Sequence, residues 1–92
     1  MSYIVHFTPD GMSSEKYEEC MRELAGAGAV QPEGRLFHAC YGTSPDLRVV
    51  DVWDSQESFE RFGQTLMPIL QNVGIDVGTP EFIETHNIIV GR

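Results

Sequence analysis

The sequence contains few basic residues. Six Lys and Arg stand against fourteen Asp and Glu, which gives a formal net charge of −8. No cluster of Lys or Arg offsets this negative field locally, and the field repels the phosphate backbone of DNA and RNA. We therefore expect no nucleic-acid partner, and we expect the acidic charge to favour solubility.

Long apolar runs are also absent. No apolar stretch approaches the roughly 20 residues that cross a bilayer. The segment Met1–Phe7 has neither the basic start nor the long apolar core of a signal peptide. The sequence therefore predicts a cytoplasmic protein with no membrane partner. Its 92 residues fit one domain, predicted over 1–92, with a thin core that a partner subunit would reinforce.

Cysteine is scarce, and several catalytic motifs are missing. Cys20 and Cys40 lie in different predicted elements without metal-ligand spacing, so we expect two free, buried thiols. The sequence has no nucleophile–base motif, Gly-rich phosphate loop or dinucleotide fingerprint. Gly26 and Gly28 are expected to end a helix instead.

Two periodic patterns alternate along the chain. Runs of β-branched and aromatic residues between turn residues predict strands, and apolar residues at i, i+3, i+4 and i+7 predict amphipathic helices. Their order predicts an α+β, ferredoxin-like βαββαβ fold, with a four-stranded antiparallel sheet and both helices on one face. The predicted strands are Ser2–Thr8, Arg35–Thr43, Leu47–Asp54 and Glu81–Val90.

Serine residues are expected to begin both helices. Ser13–Ser14 and Ser55 supply N-cap side chains, each followed by a Glu in the first turn. Pro68 lies inside the apolar pattern of the second helix. Because proline lacks a backbone donor and clashes with the preceding turn, we expect a kink or a restart near Met67.

Several predicted strands are apolar on both faces. In the third strand, Val50 and Val52 alternate with Val49 and Trp53. Two helices on one side of the sheet can cover only one of these sets. The other set would form a large exposed apolar patch, which in a soluble protein marks an interface. The sequence therefore predicts a homodimer in which the two sheets face each other.

The junction between the third strand and the second helix is distinctive. Residues 48–62 read RVVDVWDSQESFERF. This strand–Trp–Asp–Ser–helix junction resembles that of the dimeric α+β barrel proteins, especially the antibiotic-biosynthesis-monooxygenase-like group, and the resemblance extends to the βαββαβ order. It implies a dimeric α+β barrel. The superfamily includes cofactor-free oxygenases, haem-degrading enzymes, isomerases and proteins with no known activity.

The haem-degrading members of that superfamily can be compared residue by residue. They resemble this chain at Trp53, but they also use an asparagine in the first strand and an axial histidine from the second helix region. This chain has His6 in the first strand and no histidine between Phe59 and Gly78. Haem degradation is therefore disfavoured, and we expect no cofactor.

Four polar residues lie one in each predicted strand. They are His6, His38, Asp51 and His86, and the 4-1-3-2 strand order of a ferredoxin-like sheet would place them side by side. Whether they share a face depends on the strand register. Asp51 in mid-strand requires a partner, either a histidine or one of Arg35 and Arg48. Since histidine beside a carboxylate suits proton transfer near neutral pH, the predicted catalytic residues are His38, Asp51 and His86.

Aromatic residues would complete a substrate pocket around these groups. The predicted substrate-binding residues are Trp53, His6, Tyr17, Phe37 and Tyr41. Such a pocket suits cofactor-independent oxygenation, or isomerisation by proton transfer, of a small aromatic or enolic compound. A metal site is conceivable, although no HxH or HxxxH spacing supports it. The alternative is a non-catalytic homodimer, a ligand-binding or interaction module whose histidines have purely structural partners.

Overall fold

The chain folds into one antiparallel sheet and two helices. The structure is a computed structural model that describes residues 2–91. Its elements are β1 Tyr3–Phe7, α1 Ser14–Gly26, β2 Arg35–Tyr41, β3 Arg48–Trp53, α2 Gln56–Val73 and β4 Glu81–Glu84. The strands are ordered β2-β3-β1-β4 and every neighbouring pair is antiparallel. The predicted ferredoxin-like βαββαβ fold is confirmed.

Serine side chains begin both helices, as predicted. Ser13 Oγ accepts a hydrogen bond from the backbone N–H of Lys16, and Ser55 Oγ accepts one from that of Ser58. Each bond satisfies one of the amide groups that a helix leaves unpaired at its start. The described residues include no helix that is both long and apolar enough to cross a membrane.

Proline does not interrupt the second helix. α2 runs continuously from Gln56 to Val73 with Pro68 inside it, so the helix does not restart near Met67, and the kink expected there as the alternative stays a prediction. Pro68 and Gln64 are both exposed. The Gln64 carbonyl, which loses its intrahelical donor at Pro68, is therefore open to water, and this reduces the cost of the missing hydrogen bond.

The core lies between the sheet and the two helices. Val5 and Phe7 of β1 and Val49 and Trp53 of β3 face the helices and are buried, and Val5 and Trp53 are fully buried. They pack with residues of α1 and α2, including Cys20, Leu24, Phe62 and Leu70. We call this side of the sheet the covered face.

The opposite side of the sheet, the open face, is also largely apolar. Strand pairing aligns Ile4 with Val52 and Ile83, and Phe37 with Val52, on this side. Neither α1 nor α2 covers it, and Phe37 and Ile83 are 56% and 49% exposed. The alternation of apolar residues therefore produces two apolar faces, as the sequence indicated.

The fourth strand is shorter than predicted. It ends at Glu84, not at Val90, and the following residues up to Gly91 form no strand. The reason is the partner strand: Glu84 pairs with Tyr3, the first residue of β1, and one more backbone bond joins Thr85 N–H to the Ser2 carbonyl. In the part of the chain that the structure describes, the pairing of β4 with β1 ends at this bond.

Candidate functional site

A chain of four side chains connects the covered face of the sheet to α1. Trp53 Nε1 donates to Asp51 Oδ2 at 3.3 Å, and Asp51 Oδ1 lies 2.6 Å from His38 Nδ1. His38 Nε2 lies 2.7 Å from the Tyr17 hydroxyl. A carboxylate only accepts hydrogen bonds, so Nδ1 donates to Asp51, and in the neutral imidazole Nε2 then presents its lone pair to the Tyr17 hydroxyl. We call these residues the Trp–Asp–His–Tyr network.

The carboxylate of this network is deeply buried. Asp51 is 3% exposed and is the one buried charged residue between positions 2 and 91. Such a charge is costly unless donors satisfy it, and His38 and Trp53 provide one to each of its oxygens. The partner that Asp51 required is therefore His38, not Arg35 or Arg48.

The tyrosine at the end of the network is held in its neutral form. Tyr17 is half-buried. Burial raises the pKa of its hydroxyl, and the acidic groups of Cys40 and Asp51 raise it further, against the opposing charge of Arg35. At neutral pH the phenol therefore keeps its proton, and its O–H can donate a hydrogen bond to the lone pair of a neutral His38 Nε2.

The network borders a small apolar cavity between the sheet and the helices. The cavity volume is about 60 Å³, and Tyr17, His38 and Asp51 line one part of it. Most of the remaining lining is apolar and includes Phe7, Leu24, Phe62 and Leu66. This space holds about two waters, each with a share of ~30 Å³ in the liquid. It is well below the ~150 Å³ of a cavity that binds benzene.

One cation also lines the cavity, and sequence reasoning did not place it there. Arg35 donates from Nη2 to the Val30 carbonyl at 2.5 Å, and its guanidinium carbon lies 5.7 Å from the centre of the Phe62 ring. A β-bulge explains its position. Arg35 pairs with Trp53 and Phe37 with Val52, so Leu36 is the extra residue. Without the bulge, Arg35 and His38, three positions apart, would lie on opposite faces.

The structure does not bring the other predicted site residues to the cavity. His6, Phe37 and Tyr41 lie on the open face, where His6 Nε2 contacts the Tyr41 hydroxyl and its Nδ1 lies 3.4 Å from Glu81 Oε1. His86 is exposed, beyond the end of β4. The four residues that were expected side by side therefore do not share one face, because the strand register separates His6 from His38 and Asp51. His38 pairs with Asp51 across β2 and β3, while His6 is one residue out of phase with Val5, which pairs with Asp51.

The two thiols and the acidic groups form no metal centre among the residues that the structure describes. Within positions 2–91, no group of three or more His, Cys, Asp or Glu side chains is arranged to hold a metal ion. Cys20 and Cys40 are free, and Cys20 is buried while Cys40 is half-buried. Burial raises the pKa of both thiols, which keeps them protonated at neutral pH.

Comparison with known proteins relates the chain to others by fold. No family model and no curated protein matches it. SnoaB, a cofactor-independent oxygenase from Streptomyces nogalater, aligns with a TM-score of 0.62 at 15% identity, over 96% of this chain and 94% of that one. A candidate antibiotic biosynthesis monooxygenase from Deinococcus radiodurans gives 0.63 at 14% identity, over 98% of each chain. A protein of unknown function from Nitrosomonas europaea gives 0.62 at 12% identity, over 99% and 93%.

These structural neighbours have the ferredoxin-like α+β fold and include proteins of the antibiotic-biosynthesis-monooxygenase-like group. The resemblance that the Trp53 junction indicated is thereby confirmed. At such low identity the likeness establishes the fold alone. The chemistry has to be argued from the side chains of this chain.

Proposed function

We propose that the protein is a cofactor-independent monooxygenase that acts on a small aromatic or enolic compound. The observation that carries this proposal is the Trp–Asp–His–Tyr network, in which the His38 imidazole is held between Asp51 and Tyr17 beside an apolar cavity. The fold shared with SnoaB supports it. His38 is the general base, and Asp51 fixes its tautomer and stabilises the imidazolium that forms.

The reaction follows from the proton transfer. His38 Nε2 removes the proton of a phenolic or enolic hydroxyl, and the resulting anion is electron-rich enough to react with dioxygen. A C–O bond forms at a ring or α carbon, and the peroxide takes the proton back from His38. Loss of the carbon-bound hydrogen and cleavage of the O–O bond then leave a carbonyl and one water. For a phenol the balance is phenol plus O₂ to quinone plus water, with every electron supplied by the substrate.

The same base would serve an isomerase. Removing a proton from one carbon of an enolisable compound and returning it to another needs only a base and an apolar surrounding, both of which the cavity provides. Dioxygen uptake separates the two reactions, since isomerisation consumes none.

We further propose that the protein is a cytoplasmic homodimer formed through the open face. The support is the uncovered apolar surface around Phe37, Val52 and Ile83, which is continuous across the sheet. Two free cysteines suit a reducing compartment. Sedimentation in dilute solution should give twice the 10.3 kDa mass of one chain.

The decisive experiment is dioxygen uptake with a panel of hydroxyarenes and enolic ketones. His38→Ala and Asp51→Asn should remain folded and lose turnover, while Asp46→Asn, in an exposed loop, should keep it. Turnover that survives at His38→Ala would refute His38 as the base.

A non-catalytic dimer is the second candidate, and one observation favours it. The cavity of about 60 Å³ is smaller than an aromatic ring, and every polar atom at the ends of the network already has a partner. In this case the network would only hold α1 to the sheet. His38→Ala would then lower the free energy of unfolding, and no hydroxyarene would be turned over or bound.

A further inference from the structure

We propose that the Tyr17 hydroxyl occupies the place of the ligand on His38, and that the ligand is a small neutral phenol or enol that displaces it. This inference rests on the proposed function, because it concerns the same base. Tyr17 acts here as an internal competitor. Without a ligand its hydroxyl occupies His38 Nε2, and it does not hold the substrate.

The geometry of the pair shows what the site accepts. Tyr17 brings a phenolic hydroxyl to 2.7 Å from His38 Nε2, and the two rings are nearly parallel, at 4°, with centres 6.2 Å apart. Neutral Nε2 has one lone pair, so it can accept only one such donor at a time. A ligand hydroxyl must therefore replace that of Tyr17 before His38 can take its proton.

The space in the cavity leads to the same conclusion. Tyr17 itself lines the cavity of about 60 Å³, so turning its ring away from His38 enlarges the space beside the imidazole. Tyr17 is half-buried, so part of its side chain borders solvent, and displacement of its hydroxyl requires the ring to turn towards that side. An aromatic ligand needs this added volume, since a benzene-sized cavity is ~150 Å³.

The charges around the cavity define the ligand further. Asp51 places a buried negative charge behind His38. The one cation of the lining, Arg35, is engaged by the Val30 carbonyl and the Phe62 ring. A carboxylate or phosphate on the ligand would face Asp51 without a free counter-charge. A neutral hydroxyarene or enol, with an apolar body and one hydroxyl, matches the lining.

Tyr17→Phe provides the test, because it removes the competing hydroxyl and keeps the ring. Binding of phenol, anisole and benzoate is measured by calorimetry without oxygen, so that turnover plays no part. Tyr17→Phe should bind phenol about fivefold more tightly than the native protein, the equivalent of one ordinary hydrogen bond. Anisole, which has no hydroxyl, should gain nothing, and benzoate should bind neither protein. Tyr3→Phe is the matched control and should leave phenol affinity unchanged.

The direction of the change in phenol affinity tests the inference. Phenol affinity that is equal or weaker in Tyr17→Phe, or absent from both proteins, would overturn the inference. Tyr17→Leu, which also lacks the hydroxyl, should change affinity in the same direction and guards against an effect of folding in one variant. If Tyr17→Phe binds phenol more tightly while no hydroxyarene consumes dioxygen, the inference stands and the oxygenase proposal fails. If Tyr17→Phe loses both binding and turnover, the oxygenase proposal stands and the inference fails.

Discussion

Each face of the sheet carries a cluster in which a tyrosine contacts a histidine and the histidine contacts an acidic residue. On the covered face these are Tyr17, His38 and Asp51, and on the open face they are Tyr41, His6 and Glu81. The two clusters differ in their surroundings, so a comparison of them shows the effect of burying the acidic residue.

The carboxylate accounts for most of the difference. The Asp51 side chain is 4% exposed and lies 2.6 Å from His38, whereas the Glu81 side chain is 67% exposed and lies 3.4 Å from His6. Contacts between exposed ionisable groups contribute little to stability because water screens them. A buried carboxylate must be satisfied by its neighbours and therefore fixes them in place. The same three groups, a phenol, an imidazole and a carboxyl, thus form a buried network on one face and a loose surface contact on the other.

Exchanging each carboxylate for its amide should separate the two clusters most strongly. Asp51→Asn replaces one of two accepting oxygens by an NH2 donor; if the remaining oxygen accepts from Trp53, the NH2 faces His38 Nδ1 and favours the other tautomer. We expect turnover to fall by about 10²-fold or more. The free energy of unfolding should fall by about 1–3 kcal/mol, as for a buried group that loses its partner. Glu81→Gln should change the free energy of unfolding by less than about 0.5 kcal/mol. Urea denaturation measures the free energy of unfolding, and dioxygen uptake measures turnover. Equal effects of Asp51→Asn and Glu81→Gln would contradict the distinction between the two clusters.

A change of backbone at the start of β2 should disturb only the covered face. Gly34 has a φ of 91°, and a Cβ there would lie 2.4 Å from Ser58 Oγ and 2.7 Å from Asp54 Oδ1. Gly34→Ala should therefore cost about 1–3 kcal/mol. Gly63→Ala, in α2 with open space around its Cβ, should be neutral or stabilising. Equal stability of the two variants in urea would show that β2 adapts to the added methyl group.

Charge on the open face should affect association and leave the covered face intact. Phe37→Glu places a carboxylate in the proposed dimer interface and should shift the protein from dimer to monomer in sedimentation experiments. Met67→Glu is the control, because Met67 is similarly exposed, at 47%, but lies on α2. A native protein that already sediments as a monomer would remove the basis for this prediction.

The smallest expected effect is on the pH dependence of stability. Because burial raises the folded-state pKa of Tyr17 above its ordinary value of 10.0, the neutral phenol contributes stability in full below pH 10.0. That contribution is lost as the pH rises through the raised pKa. The stability difference between the native protein and Tyr17→Phe should therefore shrink above pH 10.0. Urea denaturation between pH 8 and pH 11 measures it, and a difference that grows with pH would contradict the assignment.

The sequence predicted the fold well because its signals are local. Ser13 and Ser55 begin helices by bonding to amides three residues away, and alternation in β1 and β3 follows from the pleat of each strand. The restart at Pro68 was wrongly expected because the cost of a proline depends on whether the freed carbonyl reaches water, and this is known only once the exposed side of α2 is known.

The candidate site was predictable only in part because it depends on pairing between strands. A carboxylate in mid-strand needs a partner, and this correctly marked Asp51. Its partner is His38 on the neighbouring strand. Nothing in the local sequence shows that β1 presents Val5 to the helices and His6 to the open face. The length of β4 was overestimated for a related reason, since a strand can extend only as far as its partner, and β1 begins at Tyr3.

The bulge at Leu36 divides β2 into two parts, and the register of one part can change without that of the other. His38 belongs to a regular ladder against Asp51, whereas the extra residue Leu36 separates Arg35 from that ladder and leaves it on the same face. A deletion of one residue at Leu36 would leave a regular strand with Arg35 still on the covered face, and a further insertion there would move Arg35 away without shifting His38. The charge of Arg35 beside the cavity can therefore be moved by an insertion at Leu36, while His38 stays where it is.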